Sequence, residues 1–241
     1  MEKVDPKISK SVLAYTLAHT VINVLWLTRR WGWRNGAQLS SIGVGLPALA
    51  EVWFSSIDKI LRHRMEPRIF GVPLGIPLLL FNVIFGSLAA TEPVLARLRL
   101  DEAQRETLLA PTTALVATSL DLVMDCYGLD EGLWEWNLDG PYASEIEGPN
   151  GRNGIPLLNY FGWVFLAVVV VLLFQYVTSD EEVASDEQPR RQPGVERLSV
   201  VMLLPYYLVS VVWAIKKRKL RYLLYSAIFP TMLTAALKLR Y

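Results

Sequence analysis

Val164-Phe-Leu-Ala-Val-Val-Val-Val-Leu-Leu-Phe174 decides the fold: eleven consecutive apolar residues with no polar face to meet water. A helix that is hydrophobic all round is either buried in a large protein or embedded in lipid. The run lies inside a longer block, Ile155–Thr178, about the length of a bilayer crossing. Similar blocks occupy Ser11–Thr28, Leu39–Ile57, Gly71–Ala90, Leu108–Met124, Leu198–Ile215 and Leu220–Leu237. The pattern predicts an all-α, polytopic membrane helix bundle of about seven transmembrane helices. A soluble all-helical protein is the competing reading, and the Val164–Phe174 run speaks against it.

Composition fits the same class. The chain has 241 residues, is 52% hydrophobic and carries a net charge of only +1, so no basic face for nucleic acid is expected. The N-terminal stretch is charged, but Arg29-Arg30 follows the first block without a small-residue cleavage site, so no cleavable signal peptide is expected. Cys126 is the single cysteine, which excludes an intramolecular disulfide and reads as an apolar filler. The short Lys-Lys-Arg-Lys loop at 216–219 is the strongest orientation signal. It predicts a multi-pass protein of the cell membrane with a cytoplasmic N-terminus.

One domain spans residues 1–241. Ser179–Arg197 is acidic and rich in Pro and Gln, with no helical apolar spacing, and reads as a solvated linker. Tyr127–Asn153 differs, since Tyr127, Trp134, Trp136 and Tyr142 stand among acids and glycines; tryptophan and tyrosine favour the headgroup level. Two Gly-x-Pro turns, ending at Pro73 or Pro77 and at Pro156, stand where apolar runs begin, which suits helix starts.

The candidate chemistry lies in polar residues that lipid should exclude. Asp121 and Asp125 are one helical turn apart on one face, and Glu51 follows Pro47 near the end of the second block. A charged side chain at the bilayer centre costs about 2.5–3.5 kcal/mol on insertion scales, so such residues are functional candidates. Three acids around one cavity repel one another, which favours a proton donor beside an ionised acceptor, as general acid–base catalysis needs. Pro47 is expected to bend the helix near Glu51. The structural readings stand beside these: Glu51 paired with a base, Asp121 bracing a helix, Asp125 meeting water at a helix end. Asn82 and Asn159 would join helices by hydrogen bonds, His19 would be a packing residue, and His63 would be solvated in a basic loop. No metal-ligand spacing, P-loop, dinucleotide fingerprint or nucleophile elbow is present, so neither metal nor cofactor is expected.

Asp121-x-x-x-Asp125, Gly132-x-Trp134-x-Trp136, Pro141-Tyr142, Gly154-Ile-Pro156 and Asn159-Tyr-Phe-Gly162-Trp163 together resemble the signature of the integral-membrane carotenoid biosynthesis family, which includes bisanhydrobacterioruberin and γ-carotene hydratases. Glu51 and Phe70-Gly-Val-Pro-Leu74 are similar to that family's earlier segment, so the likeness covers about residues 45–165. The chain departs where Cys126 replaces the family's proline, where Ser55–Arg68 is charged, and where Ser144–Asn153 is inserted. The resemblance implies a membrane enzyme that adds water across a terminal C=C bond of a carotenoid or other lipophilic isoprenoid taken from the bilayer. The catalytic candidates are Asp121 as acid and Glu51 or Asp125 as base. Trp134, Trp136, Tyr142, Tyr160 and Trp163 are the aromatic candidates for substrate and cation, and Asn159 would hold water. Cyclisation or rearrangement by the same protonation is the alternative chemistry. A transporter, or a scaffold serving other pathway enzymes, is the non-enzymatic one.

Overall fold

Helical structure from Lys10 to Ile57 covers 48 residues. Straight, that length would reach about 72 Å, more than twice a hydrocarbon core. The computed structural model, which describes residues 6–143, 153–184 and 193–238, folds it in two. Within α1 (Pro6–Val52), Trp31 and Gly32 leave helical geometry, and Gly32 takes φ 77° and ψ 165°. That positive φ is open to glycine without steric strain. The chain then doubles back so tightly that a Cβ on Gly36 would lie 2.6 Å from the Thr28 Cα. The arms 6–30 and 33–52 therefore correspond to the first two expected crossings. Pro47 stays within the helix, where Trp31 and Gly32 are the residues of non-helical geometry. Just after Glu51 the helix passes into a π-helical turn at Trp53–Ile57.

Three short strands follow: β1 (Leu61–His63), β2 (Arg68–Ile69) and β3 (Val72–Pro73). Next come α2 (Gly75–Arg97) and α3 (Glu102–Asp130). Asp101 caps α3 by accepting from the Gln104 amide at 2.8 Å, and the Gln104 side chain returns the bond, a capping box with Glu102 in the first turn. The chain continues through β4 (Trp134–Trp136), β5 (Tyr142–Ala143) and β6 (Gly154–Ile155) into α4 (Leu157–Ala184). It ends with α5 (Pro193–Val201), α6 (Leu204–Lys216), α7 (Arg221–Tyr225) and α8 (Ile228–Lys238). Pro77 sits in the first turn of α2 and Pro156 just before α4, as the Gly-x-Pro turns suggested.

The protein is an all-helical membrane bundle, and its sheets are isolated two-stranded pairs. Among the described residues, five helical stretches are long and apolar enough to cross: the folded α1, then α2, α3, α4 and Gly194–Lys216. The last expected crossing is shorter than anticipated, because α8 has 11 residues and reaches only about 16 Å. On α4, Phe161, Phe165, Leu172 and Tyr176 are exposed along one face while Ala167, Val170, Val171 and Phe174 are buried on the other. The exposed face is suited to lipid.

Internal polar groups hold the helices together. Asn82 of α2 accepts from Asn23 at 3.0 Å and donates to the Thr16 carbonyl at 2.9 Å. Ser199 of α5 donates to Asn23, and His19, expected as a packing residue, is buried with its Nε2 3.1 Å from the Ser199 carbonyl, while Asn82 joins helices as expected. At the hairpin turn the Arg30 guanidinium lies 2.5 Å from Glu92 and 3.0 Å from Glu196, and stacks over Trp31. This corrects the reading of Ser179–Arg197 as a solvated linker. Helix α4 carries on to Ala184, α5 begins at Pro193, and Glu196 is a buried partner of Arg30.

The turn gives a direct test. Gly36→Leu forces a side chain into the Thr28 backbone, and overpacking of this kind costs about 1–3 kcal/mol or more. A lower melting temperature and lower yield of detergent-purified protein are expected, whereas Gly45→Ala, with no heavy atom within 4 Å of its Cβ, melts like the wild type.

Candidate functional site

The decisive local structure is the pairing of β1 with β4. The strands run antiparallel with Leu61 opposite Trp136, Arg62 opposite Glu135 and His63 opposite Trp134. Alternation along a strand sends successive side chains to opposite faces. Leu61, His63, Trp134 and Trp136 therefore share one face, and all four line an internal chamber. Arg62 and Glu135 take the other face. Glu135 is 2% exposed, receives a hydrogen bond from Arg64, and lies 3.4 Å from Arg62. This buried ion pair clamps the two loops together. His63 is thus not the solvated residue expected of a basic loop: it is 3% exposed, and its Nε2 lies 2.7 Å from Glu51 Oε2.

Glu51 enters from the last turn of α1, immediately before the π-helical turn. Turns of this type are frequent at functional sites. From α3 come Asp121 and Asp125, both buried and one helical turn apart on the face that lines the chamber. Asp125 does not meet water at its helix end; its Oδ2 accepts from the Asn159 side chain at the start of α4. Asp121 Oδ2 is buried with no hydrogen-bond partner, as are the indole N–H groups of Trp134 and Trp136 and the Nδ1 of His63. Each lies on a residue that lines the chamber. Buried polar atoms of this kind require an account, since leaving one unpaired costs about 1–3 kcal/mol.

The chamber itself is small, about 40 Å³. It admits at least one water and little more. Glu51, Asp121, Asp125, Asn159, Trp134, Trp136 and Trp163 all border it, so three helices and one strand pair converge on the expected carboxylates. Among the described residues no lysine or arginine lines it, and no three His, Cys, Asp or Glu side chains converge closely enough to hold a metal ion.

Two expected aromatic residues stand elsewhere. Tyr142 accepts from Lys219 at 2.6 Å and packs edge-on against Tyr222, in a cluster with Trp213 and Asp130. Burial, with Asp130 beside it, pushes its phenol above the usual range. The cluster ties the loop after α3 to the 216–219 basic loop. Tyr160 is half-buried in α4 and is not among the residues that border the chamber. The insert leaves and returns at one point, because Ala143 pairs with Gly154 and Tyr142 with Ile155; residues 144–152 lie outside the described residues.

His63 and Glu135 are the residues that sequence reasoning missed. The signal was available in the matched alternation of Leu61-x-His63 and Trp134-x-Trp136.

The comparisons with known proteins agree with the motif evidence. A family model described as carotenoid biosynthesis protein matches residues 11–237. No curated protein and no solved structure matches the chain.

Gly128 tests how tightly the chamber wall is held, since a Cβ there would sit 2.1 Å from Trp134 Cζ2. Gly128→Ala is expected to displace Trp134 from α3, lower the melting temperature, and raise tryptophan accessibility to acrylamide quenching. Unchanged quenching and an unchanged melt would contradict the packing.

Proposed function

The chain belongs to the carotenoid biosynthesis protein family, and from that premise we propose that it hydrates a terminal C=C bond of a lipophilic isoprenoid dissolved in the bilayer. The observation that carries this reading is the convergence of Glu51, Asp121 and Asp125 on a chamber large enough for water and lined by three indole rings.

Two buried carboxyl groups one helical turn apart repel if both are ionised, which favours a proton on one of them. Asn159 donates to Asp125, which suits the ionised member of the pair. The proton is assigned to Asp121, whose Oδ2 is buried without a hydrogen-bond partner. Asp121 adds that proton to the less substituted alkene carbon, leaving a tertiary cation. The faces of Trp134, Trp136 or Trp163 stabilise the cation by about 2 kcal/mol or more when desolvated, and the Asp125 carboxylate adds electrostatic support. Water bonds to the cation through oxygen. Its released proton passes to Glu51, which His63 orients. The proton on Glu51 returns to Asp121 before the next cycle, so the sum is one water added across one double bond, with no oxidant or reductant.

Cyclisation by the same cation is the weaker reading. Cyclisation consumes no water, whereas the space of about 40 Å³ beside the carboxylates is suited to holding one. The chamber lies at the bundle end that carries the 216–219 basic loop, so a cytoplasmic orientation of that loop would supply water from the cytoplasmic side of the cell membrane.

Asp121→Asn, expressed in a carotenoid-producing host, is expected to reduce hydrated product by about 10²–10⁴-fold at unchanged protein level, the range for losing a positioned acid. Extracted pigments analysed by mass spectrometry read the gain of one water. Full hydration by this variant would remove Asp121 from the acid role.

A further inference from the structure

Two larger spaces adjoin the carboxylate chamber and share lining residues with it. Leu79, Met124 and Trp134 are shared with a cavity of about 250 Å³ between the first arm of α1, α3 and α6. Glu51, Leu80, Trp136, Asn159 and Trp163 are shared with a second cavity of about 300 Å³ between the second arm of α1 and α4. Both are predominantly apolar. Both reach the outer face of the bundle: Val209 borders the first and is 47% exposed, while Phe165 borders the second and is 70% exposed.

We propose that these three spaces form one substrate passage. A linear isoprenoid crosses the carboxylate waist with its polyene in one cavity and its end group in the other. The inference rests on the reading that an isoprenoid alkene reacts at these carboxylates, and it adds how that alkene is found. In lipid, an apolar cavity gains nothing from the hydrophobic effect, because the bilayer is equally apolar. Selection then depends on close contact along the chain, each atom pair contributing about 0.1–0.2 kcal/mol. Contact on one side only would let the chain slide past the acid. Contact on both sides fixes which bond stands at Asp121, which is the positional control that a reacting geometry needs. The second cavity also far exceeds the space that two terminal methyl groups require, so an extended or branched end group is accommodated.

Gly162 borders the second cavity, and a Cβ there meets no heavy atom within 4 Å. Gly162→Phe therefore fills that space without backbone conflict, and Val209→Trp fills the first. Binding of a linear C40 polyene to purified protein in lipid nanodiscs, followed by the polyene absorbance shift, reads both. Each plug is expected to weaken binding about tenfold or more, while Gly162→Ala and Val209→Ala bind like the wild type. Leu166→Trp serves as a second plug if Gly162→Phe melts early. Binding unchanged by either plug overturns the passage and leaves that cavity to bilayer lipid. The readout needs no turnover, so Asp121→Asn should bind normally. Loss of hydration chemistry with intact two-cavity binding would then fault the proposed reaction alone.

Discussion

Ionisable groups inside a bundle surrounded by lipid must find their partners within the protein, and that constraint organises this structure. Three carboxyl groups come from three places: the end of the first helical hairpin, and two turns of α3. Glu51 lies against one histidine and Asp125 against one asparagine. Among the described residues no arginine or lysine borders their chamber. A buried ion pair would have been the simpler way to carry such residues, and the protein uses that device elsewhere. Glu135 is met by Arg64 in the strand pair beside the chamber, and Arg30 by Glu92 and Glu196 at the hairpin turn, the opposite end of the second arm of α1. These cations fasten the frame.

The frame explains why the acids stay together. Glu51 and Asp121 belong to different helices, and their spacing depends on the loops that join those helices. Pairing β1 with β4 draws the loop after α1 onto the loop after α3 and delivers His63 to Glu51. The close approach of Trp134 to Gly128 presses that pair against α3. Lys219, bridging Asp130 and Tyr142, fastens the far side of the same loop to the last helices. The chamber is thus a product of loop structure resting on helix ends.

Much of this was legible in the sequence, and the reasons differ by element. Apolar blocks announce helices in lipid because nothing else explains Val164–Phe174. Asp121, Asp125, Glu51 and Asn159 were legible because each is costly where it stands. The two arms of the first hairpin were legible as separate apolar blocks, but the turning residue was not, since a lone glycine after Trp31 looks no different from glycines that remain helical, such as Gly43. Pro47 looked like the stronger breaker and is absorbed into the helix. His63 was hidden by its neighbours: Arg62 and Arg64 suggested a solvated basic loop, while a three-residue strand gives too little alternation to read alone. Glu196 was hidden likewise within an acidic, proline-rich stretch, because its partner Arg30 lies 166 residues away. Tyr142 shares a motif with chamber residues but stands outside the chamber, against Lys219 and Tyr222.

The proposed hydration delivers a carboxyl proton and a water molecule to one alkene within this chamber, and isotope labelling of the product reads both. Purified protein supplied with its isoprenoid in deuterated, ¹⁸O-enriched water should yield an alcohol carrying one carbon-bound deuterium and one ¹⁸O. An alcohol whose oxygen derives from dioxygen, or a product with deuterium and no oxygen, would contradict hydration at these carboxylates.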